Sequence, residues 1–161
     1  MLANAQNRKS NRRRGFSLVE LIVAFSILLT LTAMSVPLAR YKVRRDKERE
    51  LHVALREIRA AIDKYKDAAD KGEIGPVKID TENYPETLEM LVEGVKKSGA
   101  VDKKFKFLRR IPKDPMTNST DWGKRSWQDD PKSTSWGGQN VFDVYTKSIE
   151  RARDGTAYSE W

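Results

Sequence analysis

Hydrophobic and polar positions divide the chain into three stretches. Residues 16–39 carry no Lys, Arg, Asp or Glu except Glu20, whereas residues 41–70 repeat apolar positions every three or four residues among charges. Beyond 70, short apolar runs alternate with Gly, Pro and polar clusters. At about 1.5 Å per residue the 24 residues of the first stretch span about 36 Å as a helix, enough to cross a bilayer. Pro37 lies inside it, removes a backbone hydrogen bond and predicts a kink or local break.

In the second stretch Leu51, Leu55, Ile58, Ile62, Tyr65 and Ala69 follow steps of four, three, four, three and four. That spacing predicts an amphipathic helix continuing the first, with its stripe as the seam against a head. Arg44, Asp46, Lys47, Glu48, Arg49, Glu57, Arg59, Asp63 and Lys66 fill the other positions and predict a solvated face. His52 falls off the stripe and is assigned no role.

The segment Lys71-Gly72-Glu73-Ile74-Gly75-Pro76 predicts the helix end. Residues 84–92 predict a short helix with Pro85 in its first turn, folding Leu88, Leu91 and Val92 onto the long one. Residues 94–106 are polar and weakly specified. Phe107, Leu108 and the Ile111-Pro112-Lys113-Asp114-Pro115 run predict an apolar anchor and a stiff turn. Residues 123–128 and 141–146 predict an antiparallel pair joined by a polar loop containing Asp129 and Asp130. The end of the sequence, with Tyr158 and Trp161, predicts aromatics packed back on the head. The fold class is thus α+β: a membrane-spanning helix, its amphipathic continuation, a short helix and a small antiparallel sheet.

Charge sharpens the topology. Arg8, Lys9, Arg12, Arg13 and Arg14 precede the apolar run, and Arg40, Lys42, Arg44 and Arg45 follow it. The first arm contains no acid and favours a cytoplasmic N-terminus, with the rest of the chain across the membrane. Removing residues 1–15 would take five positive charges from the formal +8, leaving +3, so the basicity is largely that arm's and argues little for nucleic acid. There is no Cys and one His, which excludes a disulfide framework and a Cys/His zinc site and leaves only carboxylate-bound calcium as a metal reading.

Glu20 is the residue that needs an explanation. A carboxylate near the end of an apolar span costs several kcal/mol unless paired, and no basic side chain lies between Gly15 and Arg40. Cleavage after Gly15 would give Phe16 a free α-ammonium able to pair with Glu20, within one chain or between neighbours as a register device.

Gly15, Phe16, the Ser-Leu-Val-Glu20 run and the basic leader resemble the class III signal of type IV pilins and pseudopilins. The resemblance implies removal of residues 1–15 by a prepilin peptidase, N-methylation of Phe16, and helix packing into a filament through residues 16–39 with Glu20 setting register. It also implies that helix near Pro37 can unwind, and that residues 40–161 form a pilin-like periplasmic head. Tyr84-Pro85, Ile111-Pro112, Asp114-Pro115, Trp136-Gly137-Gly138, the 142–145 run and Asp154-Gly155 near Trp161 resemble the major pseudopilin of type II secretion systems. That branch implies a homopolymer on an inner-membrane assembly platform, with minor pseudopilins as partners and lipid around the anchor. Family members commonly bind calcium in a loop after the second strand. Here only Asp154 and Glu160 are candidates, and a metal-free loop closed by Tyr158 and Trp161 is expected, with no cofactor.

These residues point unequally to three function classes. A secretion pseudopilus subunit leads; a type IV or competence pilin acting in adhesion, motility or DNA uptake is the alternative, with Lys124, Arg125 and Trp127 as its one basic and aromatic trio. A tethered enzyme is not expected, since no phosphate-binding glycine loop and no nucleophile with its base is present.

Overall fold

The structure, a computed structural model, describes residues 15, 17–99 and 103–161. The fold is α+β. Helix α1 (Leu18–Asp70) is followed by α2 (Glu89–Glu93) and by strands β1 (Val95–Lys96), β2 (Lys104–Phe105), β3 (Gly123–Arg125) and β4 (Asp143–Tyr145). The chain divides into two compact units, Met1–Val43 and Arg44–Trp161.

In the first unit α1 runs as one helix through Pro37, the position at which the sequence predicts a kink or local break. Proline withholds one N–H, from the Ala33 carbonyl, and the helical residues on both sides carry the helix past that single loss.

The second unit is built on the predicted stripe. Leu51, Leu55, Ile58, Ile62 and Tyr65 are buried, and Ala69 packs at the edge. Ala54, Ala61 and Ala68 join them, small residues that let the head approach the helix closely. Each large aliphatic side chain buried here contributes about 1.5–3 kcal/mol. Against the stripe pack Leu88, Leu91, Leu108, Trp122, Val141, Val144 and Tyr158. The helix stops where predicted. Gly72, at φ +66, lets its own N–H reach the Ala69 carbonyl and that of Glu73 reach the Ala68 carbonyl, closing the last turn.

Three local expectations need correction. The short helix begins at Glu89, so Pro85 precedes it rather than sitting in its first turn, although Leu88 and Leu91 are buried as expected. Residues 94–106 are not featureless: β1 and β2 pair antiparallel, Val95 opposite Phe105 and Lys96 opposite Lys104. The expected pair of strands does form, as β3 and β4 with Lys124 opposite Val144, but each covers only three residues. The sheet is therefore two separate two-stranded ribbons. Gly123 faces Tyr145 across the second, and a Cβ there would collide with the Tyr145 ring.

Two polar nodes tie the loops down. Asp114 is fully buried and accepts from the Met116 N–H, the Thr117 hydroxyl at 2.9 Å and the Thr146 hydroxyl at 2.5 Å, fixing the proline turn to the chain leaving β4. Trp122 adds an indole N–H to the Pro112 carbonyl. Asp143 stands between two arginines, 2.7 Å from Arg59 Nε and 3.4 Å from Arg125 Nη1. Arg59 also donates to the Val144 and Trp161 carbonyls, so this residue of the expected solvated face instead joins α1, β4 and the Trp161 backbone.

Replacing Asp114 with Ala strands two hydroxyls and an amide without their acceptor. Asp114→Ala is expected to lower the unfolding free energy of the head by about 2–3 kcal/mol, read from the urea midpoint at constant slope; an unchanged midpoint would contradict the node.

Candidate assembly segment and head surface

The candidate site begins before α1. Residues 1–14 and Phe16 lie outside the described residues, and with them the leader and the expected methylation site. Gly15 is exposed, and a Cβ added to it would meet nothing within 4 Å. Nothing in the described packing therefore demands glycine at that position.

Glu20 sits in the first turn of α1, where the exposed amides of the helix end favour a negative charge. It has no ion-pair partner among the described residues. The apolar side chains that follow are all outward: Leu21, Ile22, Val23, Phe25, Ile27, Leu28, Leu29 and Leu31 are each more than half exposed. The hydroxyls among them are internally satisfied. Ser26, Thr30, Thr32 and Ser35 each donate to the carbonyl four residues earlier, at 2.8–2.9 Å. Such back-bonding leaves the helix surface apolar without an unpaired donor. This part of α1 is long and apolar enough to cross a membrane.

That geometry, an exposed apolar helix opening on an acid, coincides with a sequence match. Residues 10–36 match the family model for the prokaryotic N-terminal methylation motif. The chain carries a prokaryotic methylation motif. The match supports a type IV pilin-like protein, implies processing by prepilin peptidase and assembly into filaments, and fits a single-pass membrane anchor. With it, the long apolar helix followed by small antiparallel ribbons has a pilin-like layout. No curated protein and no solved structure matches the chain.

In the second unit the loop containing Asp154 closes on itself. One Asp154 oxygen accepts both the Thr156 hydroxyl, at 2.7 Å, and the Thr156 N–H. Those bonds, the hydroxyl first, hold the Asp154 carboxyl below its ordinary range. Tyr158 is fully buried and donates its hydroxyl to Glu48 at 2.7 Å, while Arg44 donates to that hydroxyl and to the Arg151 carbonyl. Burial, then the Glu48 bond, pushes the Tyr158 phenol up. Trp161 crosses Tyr158 edge-on and stacks on His52, ring centroids 4.3 Å apart. His52, assigned no role from its place off the stripe, is thus the seat of the last residue in the sequence. Tyr158 and Trp161 close the loop as expected. Among the described residues no three acids or His gather to hold a metal, and Glu160 lies in a 3₁₀ turn (Tyr158–Glu160).

The basic and aromatic trio is split by the fold. Arg125 is buried, donating to the Ser133 and Ser159 carbonyls and lying over the Tyr145 ring. Lys124 lies over Trp136. Trp127 is 56% exposed and packs at the surface on Tyr84 and Phe142. Asp129 accepts from the Ser126 and Gly137 amides, which hold its carboxyl low and close the loop between β3 and β4.

Calcium added to the head is expected to leave its melting temperature within about 1 °C, because a ligand that binds the folded state well above its dissociation constant must raise it. A rise of many degrees on titration would overturn the metal-free reading of the head.

Proposed function

We propose that the chain is a structural subunit of a type II secretion pseudopilus. In this reading the precursor is inserted once through the bacterial inner membrane with its head, residues 40–161, in the periplasm. It is trimmed after Gly15, methylated at Phe16 and polymerised through residues 16–39 to push folded proteins through the outer membrane. The observation that carries it is the methylation motif running into an apolar helix whose described side chains are exposed over residues 18–31. A repeated helix of that kind forms the core of an open polymer, with Glu20 as the register charge and local unwinding near Pro37 as slack. The resemblance of the head motifs, Tyr84-Pro85, Ile111-Pro112 and Trp136-Gly137-Gly138 among them, to the major pseudopilin is our reason for choosing this branch. Partners are further copies, the prepilin peptidase, the assembly platform, minor pseudopilins and lipid. The subunit performs no chemistry of its own.

Adhesion, motility or DNA uptake by a pilin remains the competing branch. A nucleic-acid surface built on Lys124, Arg125 and Trp127 is disfavoured by the burial and full engagement of Arg125.

Since Gly15 is not required by the described packing, Gly15→Ala is expected to fold and insert normally yet accumulate uncut, which immunoblotting of membranes will show; normal trimming would refute the cleavage site. Glu20→Ala is expected to be trimmed but to reduce fibre yield at least about tenfold, the scale of removing one partner from a buried charge pair. Fibres at parental yield under electron microscopy would make the acid dispensable.

A further inference from the structure

We infer that the head carries a head-to-tail docking surface by which one copy seats on the next: Ile79 with Asp80 and Glu82 is the plug, and the groove at Arg109, Arg110 and Lys113 is the socket. The inference deepens the filament reading above and rests on it.

Ile79 opens a 3₁₀ turn (Ile79–Thr81) and is 96% exposed. The turn is firmly built. Thr81 is buried, with its amide and hydroxyl both donating to the Lys78 carbonyl, and the Tyr84 amide returns to Thr81. Lys78 is ion-paired to Glu86 at 2.7 Å, and Asn83 donates to Asp70 at the end of α1 at 2.7 Å. Glu82 and Asn83 hold left-handed backbone, φ 53 and 64, which side-chain-bearing residues rarely adopt. A strained, bonded turn therefore presents an isoleucine to water. Asp80 and Glu82 beside it are exposed and engage no partner among the described residues.

The groove has the complementary character. It encloses about 780 Å³ between Glu57 of α1 and the proline turn. Ile111 and Pro112 give it an apolar wall, and the exposed Arg109, Arg110 and Lys113 have no ion-pair or hydrogen-bond partner among the described residues. Three cations against the single acid Glu57 leave it a net +2, facing the −2 of Asp80 and Glu82. An apolar tip between two carboxylates fits an apolar wall between cations.

Their placement selects a second copy as occupant. Asn83, next to the plug, is bonded to α1 at Asp70, and the socket borders Glu57, 13 residues earlier. That separation is about 20 Å along the helix and roughly 220° around it. Plug and socket are thus different patches on different sides, and their union between copies is heterologous, which propagates a filament instead of closing a dimer. Ile149 is as exposed as Ile79, but it lies between Lys147 and Glu150 and lacks the paired acids.

The chain has no cysteine, so a pair can be placed at will. In full-length protein in membranes, Ile79→Cys combined with Lys113→Cys is expected to yield a ladder of covalent multimers with a short bismaleimide, whereas either substitution alone yields nothing beyond a dimer. Adding Asp80→Lys and Glu82→Lys is expected to cut the ladder about tenfold or more through like-charge repulsion, and adding Arg109→Glu and Arg110→Glu as well is expected to restore it. Parental fibres without a ladder, a ladder indifferent to charge reversal, or one obtained from Ile149→Cys with Lys113→Cys in place of the Ile79 pair would overturn this contact and leave the filament reading standing. Failure of the parent chain to form fibres would overturn both.

Discussion

The constraint behind the rest is an apolar helix surface that is exposed among the described residues. From Leu18 to Leu31 the large side chains point outward, and the hydroxyls between them are turned back on the helix backbone. Water is a poor solvent for such a surface, at roughly 25 cal/mol for each Å² left bare. Lipid or the same surface of other copies can cover it. Both surroundings are apolar, which makes Glu20 costly unless a positive group arrives beside it. Leader removal at Gly15 would create that group at the nearest possible position, so processing and assembly become one electrostatic event in the proposed mechanism.

The head solves a different problem. With no disulfide and short strands, it is held by a helix stripe and by a few polar nodes. Asp143 gathers Arg59 and Arg125, and through them α1, both strands of the second ribbon and the backbone of Ser159 and Trp161. Asp114 does the same for the proline turn. Charge-assisted bonds of this kind are worth more than neutral ones, and buried acceptors are costly to leave unfilled. They let loops that lack regular structure hold a fixed shape, including those bearing the exposed Ile79 and the cationic groove.

Much of this was legible from pattern. The stripe from Leu51 to Tyr65, the stop at Gly72, the antiparallel partners β3 and β4 and the return of Tyr158 and Trp161 all follow from spacing and turn chemistry. What escaped lay below the reach of periodicity. Strands of two residues, such as Val95–Lys96, are too short to show alternation, and lysines at both strands hide them further. Arg59 reads as solvent-facing and His52 as without a role because their partners, Asp143 and Trp161, lie about a hundred positions away in sequence. The exposure of Trp127 shows that size and aromaticity alone do not place a residue inside. At the assembly segment the residue types were legible, because a misplaced acid and an abrupt basic boundary are local signals.

The intact mass of the protein recovered from its native membranes tests the central claim most directly. The mechanism predicts a chain lacking residues 1–15 and carrying one added methyl group, present in the assembled fraction. Assembled, working protein that still retains those fifteen residues would contradict it, because Glu20 would then lie in an apolar filament without the charge that cleavage supplies.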